Sequence, residues 1–263
     1  MKRFILFLII TAGIGVGIFV LTVQEEENAP EQQVQPQTNE SGDTASFELS
    51  EAMIQNIMKD ALGTRFNAET AIYKVANLDH KGGPELIIGA ATGNTASIQV
   101  LTIKNGEGEY ERIGKIEYQE LIREAPEVKE LADIDGNGQD EIIMSLMYGG
   151  AASVAEGILN VDFAAKAMHW VQLRDERGEL QDAIFLLANT VSHHNRFHIQ
   201  DVDKDGIKEI TEIFAETLYN EKTDSFDVTN CEASVYEWDG ILFVFDAALS
   251  EQTLRNLGKD CAM

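Results

Sequence analysis

The stretch from Asp133 to Ile143 reads DIDGNGQDEII, with four acidic side chains and two glycines in its first nine positions and an apolar run, IIMSLM, directly behind them. Carboxylates at that density repel one another unless a cation holds them together. The pattern is not isolated. DVDKDGIKEIT begins at Asp201 and NLDHKGGPELII begins at Asn77. All three share Asp or Asn first, Asp third, a turn in the middle, Glu ninth and then a branched or leucyl run. Each follows a short apolar approach: AIYKVA, VKELA or RFHIQ. The starts lie 56 and 68 residues apart, so each copy belongs to a supersecondary unit and not to a tandem string of ion loops.

The pattern suits a hard cation. Calcium takes six to eight oxygens at about 2.3–2.6 Å, and side chains at positions one, three and five of a tight loop converge on one point. A carbonyl from position seven and the carboxylate at position nine complete such a set, and glycine allows the left-handed turn between them. In the second copy the expected calcium ligands are Asp133, Asp135, Asn137, Gln139 (by its carbonyl) and Glu141. In the third they are Asp201, Asp203, Asp205, Ile207 (by its carbonyl) and Glu209. The first copy carries Lys81 at position five. Its ammonium cannot ligate a cation, so that loop is expected to lack calcium, with Lys81 pairing internally with Asp79 and Glu85.

An EF-hand is the main rival. It needs a glutamate at position twelve and helices on both sides. The third copy has Glu212 there, but the second has Met144, and EIIMSLM suits a buried strand better than an exit helix. With approach strand, D-x-D-G-N-G-x-D-E loop and exit strand together, residues 70–250 resemble the FG-GAP/VCBS repeat family, the integrin-alpha type of β-propeller blade. The resemblance implies a mainly β fold, calcium held between adjacent strands of a blade, and a surface that serves adhesion or ligand binding. It also implies about seven blades, whereas three loops are present, and propellers in general need about four to eight. Three long blades, four with one degenerate, or an open array that closes only as a homo-oligomer all fit the length.

The flanking sequence divides the 263 residues into four parts. Residues 1–23 read as a transmembrane signal anchor: Lys2 and Arg3 precede an uncharged run over residues 4–23, long enough as a helix to span the roughly 30 Å hydrocarbon core. The basic side faces the cytoplasm, which makes the expected location the cell membrane, single-pass, with the remainder extracytoplasmic. Residues 24–46, rich in Gln, Glu, Asn, Ser and Pro, read as a disordered stalk. Residues 47–66 hold an amphipathic helix with Met53, Ile54, Ile57, Met58, Ala61 and Leu62 on one face, Ser50 as cap and Gly63 as stop. Residues 67–263 form the β-rich repeat domain. Within it, SIQVLTIKNGEGEYERI and ASVYEWDGILFVFD read as hairpins, the second turning at Asp239-Gly240. Cys231 and Cys261 are the only cysteines, and outside the cytoplasm they could pair.

Composition excludes some functions. Forty-five acidic residues against 20 basic ones give a formal charge of −25, wrong for nucleic acid. His194 and His198 have zinc-like spacing, yet no HExxH motif is present and the segment leads into a predicted strand. No nucleophile elbow, phosphate loop or dinucleotide fingerprint occurs. The expectation is a non-enzymatic, membrane-anchored module that binds a protein or glycan at the cell surface. The alternatives are a scaffold of an envelope enzyme system and an EF-hand-like calcium sensor.

Overall fold

The computed structural model describes residues 6–11, 16–21, 49–119, 124–147, 154–187, 193–258 and 261. Its elements in chain order are β1 (Leu6–Thr11), β2 (Val16–Leu21), α1 (Glu51–Leu62), β3 (Ile72–Ala76), β4 (Glu85–Thr92), β5 (Thr95–Ile103), β6 (Tyr110–Gln119), β7 (Glu127–Ala132), β8 (Glu141–Met147) and β9 (Val154–Asp162). They continue with β10 (Ala167–Trp170), β11 (Gln172–Arg174), β12 (Leu180–Asp182), β13 (Ile184–Leu187), β14 (His193–Gln200), β15 (Glu209–Asn220), β16 (Ser225–Trp238), β17 (Phe243–Asp246) and α2 (Ala247–Leu257). The chain is mainly β, as expected.

Each acidic loop joins the first two strands of an antiparallel meander. The three meanders are β3-β4-β5-β6, β7-β8-β9-β10 and β14-β15-β16-β17. The loops therefore mark three sheets. The longer spacing before the third loop comes from β11 to β13. Strand β11 leaves the second sheet and pairs in parallel with β17 of the third, β12 folds back on β11, and β13 returns to β9. This excursion clasps the second and third sheets, joined at its crossing by hydrogen bonds from Val171 N–H to Ile158 O (2.9 Å) and from Ala183 N–H to Val171 O (2.8 Å).

Side-chain alternation along the strands builds the layers. In β4, Leu86, Ile88 and Ala90 face α1, while Ile87 faces the second sheet. In β8, Ile142, Met144 and Leu146 face the first sheet, while Ile143 faces the third. Ile213 and Ala215 of β15 turn outward to meet Leu257 of α2. The order is thus helix, three sheets, helix, and each described apolar cluster joins only neighbouring layers. Helices α1 and α2 each cover part of the outer face of an end sheet.

Helix α1 follows its sequence signals closely. The Ser50 hydroxyl accepts from Met53 N–H at 3.3 Å, and Gly63 ends the helix with φ +61°. Of its expected apolar face, all but Met53 are buried. The expected β5–β6 hairpin forms, opposing Ile103 to Tyr110 and, beyond a register shift between Val100 and Leu101, Ile98 to Ile116. Asp239 makes the β16–β17 turn by accepting from Ile241 and Leu242 N–H, both at 2.9 Å.

Two expectations change. Residues 6–11 and 16–21 pair as antiparallel strands and do not form the expected membrane-spanning helix. The β-branched and aromatic side chains of LFLIIT and VGIFVL favour a strand, and the glycines around them weaken a helix. Among the described residues no helix is long and apolar enough to cross a membrane. The second change is α2, which the sequence reading did not anticipate. Its Asp246 cap accepts from Leu249 N–H at 2.7 Å. The expected stalk, residues 24–46, lies outside the described residues.

Sheet spacing makes one residue choice testable. Pro126 passes so close over β4 that a Cβ on Gly89 would sit 1.9 Å from its carbonyl oxygen. Gly89→Ala should destabilise the chain by about 1–3 kcal/mol through overpacking. A urea midpoint equal to that of the wild type would show that the contact yields freely.

Candidate metal centres

The loops owe their shape to local hydrogen bonds that recur position by position. At position three, Asp79, Asp135 and Asp203 accept from the N–H two residues on, at 2.9, 3.0 and 3.0 Å. At position five, Asn137 accepts from Gln139 N–H (2.7 Å) and Asp205 from Ile207 N–H (2.8 Å). These are Asx turns, which suit short polar side chains in tight bends. Position one closes the ring in the two intact loops: Asp133 Oδ2 accepts from Gly138 N–H at 2.9 Å and Asp201 Oδ2 from Gly206 N–H at 3.1 Å. Gly138 and Gly206 take φ +82° and +98°, values that favour glycine.

Position nine supplies the deepest group. Glu85, Glu141 and Glu209 are 1%, 2% and 1% exposed. Each reaches back to the N–H of position two: Leu78 at 2.7 Å, Ile134 at 3.0 Å and Val202 at 2.5 Å. Burial disfavours their charged forms. It pushes Glu85 up to about 7 and Glu141 up to about 8, and it raises Glu209 as well. The loop carboxylates push in the same direction: Asp79 acts on Glu85, Asp135 and Asp133 on Glu141, and all three loop aspartates on Glu209. Asp135 is raised too, chiefly by burial.

These contacts bring together most of the expected ligands. Carboxylate oxygens of Asp133, Asp135 and Glu141 lie within 4.8 Å of one another, as do those of Asp201, Asp203, Asp205 and Glu209. That spread is no wider than two opposite calcium–oxygen bonds of about 2.4 Å. The donor set is all oxygen. One of its atoms, Asp133 Oδ1, is buried without a hydrogen-bond partner among the described residues, as a position reserved for a cation would be. Asn137 stays beside the cluster, its amide donating to Asp135 Oδ2 at 3.0 Å. Gln139 and Ile207 occupy position seven, each held by the position-five side chain before it.

The first loop departs further than its sequence suggested. It has a left-handed residue at position four, His80 with φ +53°, but Gly82 at position six has no positive φ. Lys81 makes no ion pair with Asp79 or Glu85 among the described residues and is exposed, so it does not stand in for the cation. Glu85 is instead held by Leu78 N–H and the Thr102 hydroxyl.

Both intact loops run from strand to strand: β7 into β8, and β14 into β15. The helix–loop–helix frame of an EF-hand is absent from them, and Glu212 falls inside β15. His193, His194 and His198 lie on β14 and join no metal-capable cluster among the described residues.

Sequence reading missed two contacts. Asn160 of β9 donates to Glu141 Oε1 at 3.3 Å, an approach set by the β8–β9 register and invisible in the loop itself. The loops are also joined in series. Asp140 N–H, at position eight of the second loop, donates to Leu78 O of the first at 2.8 Å. Lys208 N–H, at the same position of the third, donates to Ile134 O of the second at 3.2 Å. In the first loop position eight is Pro84, which has no N–H to place. Comparisons with protein families, curated proteins and solved structures returned no match.

Proposed function

We propose that this chain is a calcium-stiffened, non-enzymatic binding module held at the cell membrane with its β domain outside the cytoplasm. The single observation that carries the calcium reading is the recurrence, at identical loop positions, of two oxygen-only carboxylate clusters on strand junctions. Calcium suits them better than magnesium, because irregular loops of carboxylates, amides and carbonyls match its flexible shell of six to eight oxygens. Each loop sits where two strands of a meander meet, so an ion there fixes a strand junction and leaves the sheets as a rigid platform. The array of looped meanders supports the FG-GAP/VCBS-like reading as an open, helix-capped set of three repeats. The location rests on the apolar N-terminal segment and on the disulfide, a bond that persists in oxidising compartments. The partner is a surface protein or glycan.

Calorimetry of the full-length chain tests this. Two sites are expected, with affinities of about 10⁻⁴–10⁻³ M as in extracellular modules, together with a raised melting temperature. No calcium heat at all would remove the assignment. The serial hydrogen bonds sharpen the expectation. Ile134 offers its N–H to Glu141 and its carbonyl to Lys208, next to Glu209, so one residue touches the frame of both sites. Asp201→Ala should therefore abolish the third-loop site and weaken the second by a factor of about 5 or more, the low end of typical coupling. An untouched second site would mean that the loops act independently.

A further inference from the structure

The geometry points to a saccharide-binding cleft between the first two loops and the β9–β10 hairpin, which names the ligand class of the binding module proposed above and rests on that reading. The cleft is open to solvent and has a volume of about 540 Å³, within the range of small-ligand sites, about 300–1,000 Å³. Its walls are Asp79 and Lys81 from the first loop, Gln139 from the second, and Asn160, Phe163 and His169 from the hairpin. Such sites are usually lined by apolar side chains; this one is dominated by polar groups.

The chemistry of those groups selects the ligand. A sugar hydroxyl donates and accepts at once, and side-chain amides offer both functions on one plane. Gln139 and Asn160 supply two such amides, and Asn160 stands directly opposite His169 in the β9–β10 register. Asp79 adds acceptors, while Lys81, which has no ion pair among the described residues, adds donors. Phe163 is half-buried at the rim and gives one apolar surface for the C–H face of a ring. A polyanion is disfavoured by the charge of −25, and a bare cation by Lys81. A short neutral saccharide satisfies the mixed set.

The cleft also shares residues with the second loop. Asn137 lines it, and Asn160 connects it to the buried Glu141. Filling that loop with calcium would fix the wall against which the sugar rests, so binding should be stronger with calcium than with chelator.

The test is a titration of the full-length chain with glucose, galactose, mannose and N-acetylglucosamine and their β-1,4-linked disaccharides, followed by ligand-observed NMR. At least one sugar should bind saturably. Phe163→Ala and His169→Ala should each lower its affinity roughly tenfold, the loss of about one good contact. Lys222→Ala, in the distant β15–β16 turn, should leave it unchanged. His169 is exposed while Phe163 also packs against the apolar core between the first two sheets, so unaltered calcium stoichiometry and melting temperature are required to show that each variant remains folded. Calcium binding with no sugar bound from the panel overturns the cleft and leaves the calcium reading intact, as does sugar binding that neither cleft variant weakens. Sugar binding that depends on Phe163 but is indifferent to chelator keeps the cleft and removes its link to calcium. Absence of calcium heat overturns the calcium reading alone.

Discussion

In chelator, raising the pH from about 4.5 to about 8 should lower the stability of this chain. The direction follows from Glu85, Glu141 and Glu209, whose folded pKa values lie above the ordinary carboxylate range because they are buried. An acid that holds its proton more tightly when folded gives the folded state more bound protons between its two pKa values. Stability then falls as pH rises through that window. For Glu141, raised from 4.5 to about 8, the ceiling is roughly 5 kcal/mol. For Glu85, raised to about 7, it is roughly 3 kcal/mol. Growing self-repulsion in so acidic a chain adds to the fall. Glu111 and Glu117, lowered in the fold, act in the opposite sense but at lower pH, where their protonation removes stability.

Calcium should erase much of this loss, because a cation takes the place of the proton at Glu141 and Glu209 and binds more tightly as protons leave. Glu85 has no such rescue, since its loop lacks the ligands. Two substitutions separate these contributions. Glu141→Gln keeps a neutral group of similar shape, so it should raise stability at pH 8 in chelator while abolishing calcium binding at the second loop. Glu85→Gln should remove part of the pH slope and leave calcium stoichiometry at two. Urea denaturation at stepped pH, with chelator and with calcium, measures all of these. Stability that rises with pH across the window in chelator would defeat the explanation.

Much of this design was legible in the sequence because its signals are local. Asp at one and three, a turn, then Glu at nine followed by Ile or Leu fixes a loop and an exit strand without reference to anything distant. The helix cap at Ser50 and stop at Gly63 are equally local. The misses share a different cause. Helix α2 has a mostly polar surface, and its buried positions include Ser250 and Thr253, so apolar periodicity does not reveal it. Only its Asp246 and Gly258 caps could have done so. The β11–β13 clasp and the Asn160–Glu141 contact depend on register between strands far apart in the chain. The apolar N-terminal segment carries two compatible readings, since the same Ile, Val and Phe content that suits a bilayer also suits a strand. Lys81 shows the limit of residue-type arithmetic: its charge argued against calcium in the first loop, but did not foretell that it would line the cleft.

Reducing the Cys231–Cys261 bond should produce the second large loss of stability and the first local opening. The bond ties β16 to the segment beyond α2, with its Cα atoms 5.9 Å apart across a separation of 30 residues. Closing a loop of that length restricts the unfolded chain by roughly 3.5 kcal/mol in the loop-entropy account. Little else holds α2 against the third sheet. Its apolar contact is small, built from Ile213, Ala215, Leu257 and Cys261 with the half-buried Val228, Cys231 and Ala233 around them, and a polar tie runs from Val235 N–H to the Ser250 hydroxyl at 2.9 Å. Without the disulfide, α2 should leave first and bare the outer face of β15 and β16. Cys231→Ser combined with Cys261→Ser is therefore expected to lower the urea midpoint strongly. It should also raise hydrogen exchange throughout residues 247–257, with α1 at the other end of the array unaffected. Calcium affinity should change little, because Cys231 pairs with Ala215, six residues along β15 from Glu209. Equal loss of protection at both helices would show that the array unfolds as one unit, and unchanged exchange in α2 would show that its few packing contacts suffice.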